Sequence, residues 1–229
     1  MNDYVAESLC IKDYRIYQSP SLYRFTSDAV LLSRFAPKGK KSVADLCSGS
    51  GIVGLHYYAL NDNTTERVTL CEIQKPLADM SAASVALNGL EERFRVICGD
   101  LNDLKEREEY DLVLCNPPYK KRGSGFPMKD ESLAVCKTEA AVTLGEIVAV
   151  SAKILKRAGV LCMCNAVDRL EETFCLFAAR KLSPSRLVFV SSKEGENPYL
   201  FLIEAVKGKK AKLCVEPQTI NSAKDFSGE

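Results

Sequence analysis

Residues 45–54, "DLCSGSGIVG", constrain this chain more than any other stretch. The apolar run "SVADLC" leads into them and the helical pattern "GIVGLHYYAL" leads out. Between the two stand Gly49, Gly51 and Gly54 in G-x-G-x-x-G spacing. Glycines so placed let a strand turn into a helix within a few residues and let the backbone approach a ligand closely. A strand handing directly to a helix commits the chain to a βαβ unit, and a βαβ unit commits it to a parallel sheet.

The rest of the chain repeats that alternation. "RVTLCEI", "RFRVICGD", "YDLVLCN" and "VLCMCNA" read as further strands. The helix "QKPLADMSAASVALNGL" lies between the first two, with Pro76 in its first turn and a left-handed stop at Asn88-Gly89. A long helical segment, "EAAVTLGEIVAVSAKILKRAG", is expected to end at Gly159, and "VDRLEETFCLFAARKL" forms another helix. Two consecutive strands, "SRLVFVSS" and "YLFLIEAV", close the pattern as an antiparallel hairpin at one edge. The fold class is therefore α/β, a mostly parallel sheet with helices on both faces. Residues 1–40 differ: "IKDYRIYQSPSLYRF" alternates as a hairpin around Ser19-Pro20, and "TSDAVLLSRFAP" is a short helix capped by Thr26 or Ser27. Residues 41–206 form the main domain, and residues 207–229 read as a loose, lysine-rich tail.

With 229 residues, 46% hydrophobic and 27% charged, the chain is long enough to bury a substantial core. A net charge of +1 excludes a protein that is basic all over but not one with a basic patch. No apolar stretch spans a bilayer, and "MNDYVAESLC" lacks a secretory pattern, so a cytoplasmic location is expected. The ten cysteines contain no C-x-x-C pair, and His56 is the single histidine. Neither pattern makes a metal site, and the cysteines read as small buried thiols.

The charges around the glycines separate two ligand classes. A dinucleotide would bring an anionic pyrophosphate to the loop, yet Asp45 stands four residues before Gly49. Three carboxylates end successive strands: Asp45, Glu72 and Asp100. A ligand with a cationic centre, a ribose diol and an adenine amine fits that set, as S-adenosylmethionine does. Each acid also has a plainer role open to it, as a loop brace or a solvated strand end.

After the fourth strand comes "NPPY", Asn116 to Tyr119, where two prolines stop the strand and hold its last carbonyl rigidly. With these motifs in place the chain resembles class I S-adenosylmethionine-dependent methyltransferases that methylate an exocyclic or amide nitrogen. The stretches "RFTSDAVLLSRFA", "NPPYKKRGSG" and "GENPYLFLIEAVKGKK" are similar to the bacterial tRNA(Val) adenine-N6 methyltransferases, which modify the adenine beside the anticodon. The resemblance runs from about Lys12 to Lys210.

That resemblance implies a Rossmann-like, seven-stranded sheet, with the N-terminal hairpin and helix packed over the cofactor. It assigns Asp45, Cys47, Ser48, Gly49 and Gly51 to the methionine end, Glu72 to the ribose, and Asp100 with Leu101 to the adenine. The resemblance implies too that Asp28 and Asn116 face the cofactor, that its product is S-adenosylhomocysteine, and that no metal is required. Asn116 and the carbonyl of Pro117 would accept the amine hydrogens of the target base, and Tyr119 would stack on it. Lys120, Lys121 and Arg122 suit RNA phosphates, as do the lysines at 207, 209, 210 and 212 with less positional support. The same acceptors would serve a protein glutamine N5-methyltransferase of release-factor type, or another nucleic-acid amino methyltransferase. The 44 residues before Asp45 leave no room for the helical substrate domain of the glutamine enzymes. Thr138 stands where a histidine would be expected before Glu139. Whether the chain is a monomer or a homodimer is not legible.

Overall fold

The computed structural model describes residues 3–22, 27–117 and 142–221. Strands β1 (Val5–Ser8) and β2 (Arg15–Gln18) make an antiparallel hairpin, followed by helix α1 (Ser27–Phe35). Then come β3 (Ser42–Leu46), α2 (Ile52–Asn61), β4 (Arg67–Glu72), α3 (Lys75–Leu87), β5 (Phe94–Cys98) and β6 (Tyr110–Cys115). Helix α4 (Leu144–Ile154), β7 (Leu155–Ala166), α5 (Leu170–Ala179), β8 (Leu182–Ser191) and β9 (Leu200–Lys207) follow, with two-residue strands β10 (Cys214–Val215) and β11 (Thr219–Ile220).

The main sheet runs β10-β8-β9-β7-β6-β3-β4-β5, and β11 also pairs with β8. Strands β5, β4, β3, β6 and β7 are mutually parallel, so their carboxyl ends share one edge. Helices cover both faces. One apolar cluster joins α1, α2 and Cys162 and Cys164 of β7; the other joins α4, α5 and Met163. The thiols at 162 and 164 thus share a face, as strand alternation requires. β3 sits in the middle with all five residues buried, which is why Asp45 at its fourth position is fully enclosed.

Three features depart from the sequence expectations. The N-terminal hairpin turns at residues 9–14, not at Ser19-Pro20: Leu9 N–H donates to Tyr14 O at 2.9 Å, with Cys10 and Lys12 in the left-handed region. Its second strand buries Ile16 and lies along α3, where Asn88 bonds both backbone groups of Arg15. The long helix begins at the Thr143–Glu146 capping box and stops at Ile154 rather than Gly159. There Leu155 is fully buried and pairs with Tyr110, and Lys156 pairs with Asp111 at 2.8 Å. Tertiary pairing overrides a helical pattern, and an irregularity before Val160 absorbs the mismatch. The closing hairpin is antiparallel and lies on one side of the sheet as expected, with β9 between β7 and β8.

The third departure is the tail. From Lys207, which pairs with Leu182 at the start of β8, the chain runs back along β8 in parallel. Glu216 N–H donates to Leu187 O and Asn221 N–H to Ser191 O. Pairing and an Arg186–Glu216 ion pair at 2.7 Å order this polar segment as far as Asn221. Lys207 therefore sits at the edge opposite the parallel strands' carboxyl ends, and Asn221 sits at the same edge as those ends.

Candidate methyl-transfer site

The carboxyl edge of the sheet collects the predicted residues in strand order. Behind β3 the chain turns through Cys47, at φ +57°, and Gly49, at φ +55°, into α2. Gly51 N–H donates to Ser48 O at 2.8 Å and Ser48 N–H to Cys71 O at 3.0 Å, which closes the loop against β4. The three glycines differ in purpose. A Cβ on Gly51 would lie 2.9 Å from Leu70, and one on Gly54 would lie 2.5 Å from Leu70, so these two let α2 approach the sheet. At Gly49 a Cβ would meet nothing within 4 Å among the described residues, which leaves its face of the loop open there.

Asp45 Oδ2 accepts the Gly54 N–H at 2.9 Å, so the loop-bracing role is real. Its other oxygen, Oδ1, is buried without a hydrogen-bond partner among the described residues, as is the Ser48 hydroxyl. Burial pushes the Asp45 carboxyl up to about 8; the Gly54 N–H opposes the rise and the Glu72 charge adds to it. Glu72 is 5% exposed and accepts Gly49 N–H at 2.8 Å and Gln74 N–H at 2.9 Å. Burial raises its carboxyl too, and those amides counter the rise. Asp100, after β5, accepts from Asn102 N–H at 2.8 Å and begins a short 3₁₀ turn that buries Leu101. All three acids therefore brace loops. A carboxylate offers about four acceptor sites, so bracing does not exhaust Glu72 or Asp100.

β6 ends at Cys115, and Asn116 and the buried Pro117 follow directly. Asn116 Oδ1 accepts from the Cys164 thiol of β7 at 3.0 Å, which turns the amide oxygen toward that strand. Asp28, near the start of α1, is 8% exposed and accepts the Tyr199 hydroxyl at 2.7 Å. The sequence places Cys164 with Cys162 on one face of a strand, but it does not mark Cys164, Tyr199 or Asn221 as site residues. Only the Tyr199 stretch carried a signal, through the family likeness. Tyr119, Lys120, Lys121, Arg122 and Thr138 lie outside the described residues, as do Tyr23, Phe25 and the proposed cap Thr26. Among the described residues no three His, Cys, Asp or Glu side chains converge as a metal cluster, and no helix is long and apolar enough to cross a membrane. His56 is a core residue, its Nδ1 2.7 Å from the Ser33 hydroxyl.

The sequence profile of the family described as "Methyltransferase small domain" matches residues 26–173. The chain belongs to that family. It is an S-adenosylmethionine-dependent methyltransferase. The tRNA1(Val) (adenine(37)-N6)-methyltransferase of Tolumonas auensis is 27% identical over 199 residues, spanning 86% of this chain and 81% of that one. The enzyme of the same description from a Shewanella species is 25% identical over 211 residues, 89% of this chain and 85% of its own. Among solved structures, one described as a predicted O-methyltransferase from Agrobacterium tumefaciens superposes with a TM-score of 0.67 at 21% identity. That superposition covers 84% of this chain and 86% of the other, and it supports the fold.

The site fits the methyl donor on three observations. Among the described residues the glycine face at Gly49 is open and the buried Asp45 Oδ1 has no hydrogen-bond partner, and acids stand at the next two strand ends.

Proposed function

We propose that this chain methylates the exocyclic N6 amine of an adenine in RNA, and that the substrate is the valine tRNA, at the adenine beside the anticodon. The observation that carries the reading is Asn116-Pro117 at the end of β6, one strand from the acid-braced glycine loop. The names of the curated relatives, which match most of both chains, supply the base and the RNA.

In this reading Asp45, Cys47, Ser48, Gly49 and Gly51 hold the amino-acid end of S-adenosylmethionine. Glu72 accepts from the ribose hydroxyls, Asp100 accepts from the adenine amine, and the Leu101 N–H donates to the adenine ring. Asp28 and Asn116 border the reacting end. When bound, S-adenosylmethionine would supply an electrophilic methyl group, its sulfur keeping the electrons of the broken bond to give S-adenosylhomocysteine while N6 loses one hydrogen as a proton. An adenine amine is a poor nucleophile because its lone pair is delocalised into the ring. Asn116 Oδ1 and Pro117 O each accept one amine hydrogen, which raises the electron density on nitrogen and turns its lone pair out of the ring plane. Proline rigidity fixes those two acceptors, so positioning supplies much of the rate. Tyr119 stacks on the extruded base, and Lys120, Lys121 and Arg122 hold phosphates.

The test is transfer of a labelled methyl group from S-adenosylmethionine to unmodified total tRNA, followed by nucleoside analysis, with Asn116→Ala alongside. Label in 6-methyladenosine, lost in the variant, is the expected result. Label in release factor or bulk protein with none in RNA would overturn it in favour of glutamine methylation.

A further inference from the structure

The C-terminal segment reaches the methyl-transfer edge with a polar side chain that no motif announces. Asn221 Nδ2 lies 3.1 Å from Asp28 Oδ1, 2.6 Å from the Tyr199 hydroxyl and 2.7 Å from the Ser27 hydroxyl. Tyr199 itself donates to Asp28 Oδ1 at 2.7 Å. Burial, with the Asp28 charge adding to it and the Asn221 amide opposing it, pushes the Tyr199 phenol up to about 12, so it keeps its proton and stays a donor.

The backbones of both residues are clamped. Tyr199 N–H donates to Val190 O at 3.0 Å, and its carbonyl accepts Val167 N–H at 3.2 Å, where β7 ends. Asn221 N–H donates to Ser191 O at 2.8 Å. The same segment secures the other end of α1 through Arg186. Glu216 grips that guanidinium at 2.7 Å; it donates to Phe35 O at 3.0 Å and lies 4.4 Å above the Phe35 ring. Helix α1 is thus tied at its first and last turns to β8 and the strand-like tail laid along it. Cations at a helix C-terminus and hydrogen bonds at its N-terminus both favour the bound position.

We propose that Tyr199 and Asn221 are positioning residues for the Asp28 carboxylate, and that the segment Cys214–Asn221 is the strap that carries Asn221 to it. The inference rests on the reading above that Asp28 faces the cofactor. Two donors converging on one carboxylate oxygen fix the rotamer of Asp28, so its orientation toward the ligand is set before the ligand arrives. Preorganisation of that kind appears as cofactor affinity, because ordering the side chain is not left to the binding step.

The test measures the Kd of S-adenosylhomocysteine by calorimetry, with no RNA present, for the full chain and for Tyr199→Phe, Asn221→Ala, Glu216→Gln and Asp28→Asn. Tyr199→Phe and Asn221→Ala are expected to weaken binding about tenfold, the order for losing a hydrogen bond to a charged group. KM for S-adenosylmethionine should rise with the Kd while kcat at saturation holds. Glu216→Gln touches nothing at Asp28 and should reproduce part of the loss by loosening the strap, which guards against a misfolded Asn221 variant. In the Asp28→Asn background, Tyr199→Phe should add little further. A lowered melting temperature with unchanged Kd in both positioning variants would make the strap merely structural and overturn the inference. An unchanged Kd in Asp28→Asn would overturn it as well, since the donors act through that group. A chain that binds the cofactor normally, and loses affinity as stated, yet labels no RNA would sink only the RNA reading.

Discussion

Replacing Asp45 by asparagine tests whether a buried acid is the receptor for a cation. Asp45 is fully buried, one of its oxygens has no partner among the described residues, and its carboxyl is pushed from 3.8 up to about 8. That span is on the order of 6 kcal/mol in favour of the protonated form, so at pH 7 roughly nine molecules in ten carry the proton. In the ligand-free protein the folded state then binds more protons than the unfolded state between 3.8 and about 8. Stability from this group is greatest below that window and falls as the pH rises through it, by up to roughly 4 kcal/mol between pH 5 and pH 8. An ammonium group arriving at the loop reverses the preference and makes the anion the favoured form. Binding of S-adenosylmethionine at pH 7 should therefore expel roughly 0.9 proton and tighten with pH until it levels near 8. Calorimetry in phosphate and in Tris, whose ionisation heats differ, counts the proton. Urea unfolding between pH 5 and pH 8 reads the stability slope. Asp45→Asn keeps an oxygen for the Gly54 N–H, retains any titration of the ligand's own amine, and should lose both effects together with most of the affinity. Equal wild-type heats in the two buffers, or the same slope in both proteins, would refute the reasoning.

Asn116→Ala should lower the single-turnover methylation rate by about 10²–10³, the scale for losing one preorganised electrostatic contact, while thermal unfolding shows the fold intact; a retained rate would remove Asn116 from the chemistry. Gly54→Ala places a Cβ 2.5 Å from Leu70 Cδ2 and 3.2 Å from Asp45 Oδ2. It should cost about 1–3 kcal/mol in urea unfolding by overpacking, and an unmoved midpoint would contradict that close approach. His56 titrates in the opposite sense to Asp45. Burial, then Arg34, lowers it from 6.5 to about 4, so it folds neutral and its contribution is lost as the pH falls through that range, by up to roughly 3 kcal/mol. His56→Gln should flatten the acid limb of the stability profile, and an unchanged limb would assign acid unfolding to other groups.

Much of the site was legible because it obeys local rules. A glycine turn between an apolar run and a helical pattern needs only nearest-neighbour chemistry to be recognised, and so does a strand that stops at Asn-Pro-Pro. Parallel topology then places Asp45, Glu72, Asp100 and Asn116 on one edge, since every parallel strand ends on the same side. The plainer roles of those acids were legible only in part: that each braces a loop depends on amide directions that the sequence does not carry.

What failed locally failed for tertiary reasons. Residues 155–159 continue a helical pattern, yet burial of Leu155 and pairing with Tyr110 draw them into β7. The lysine-rich stretch after Lys207 looks like solvated tail, yet unused hydrogen-bonding groups along β8 recruit it as strand. Its lysines and its asparagine were separated by that recruitment, Lys207 going to one edge of the sheet and Asn221 to the other. By itself the sequence determined the alternating α/β order, the glycine loop and the acids and amide that border it, because each is written within a few residues. Only the tertiary structure decided that β9 lies inside the sheet, that Cys164 turns Asn116, and that Tyr199 and Asn221 meet Asp28. Those contacts join residues 48 to 193 positions apart, and pairing at that separation depends on which surfaces the folded sheet leaves open.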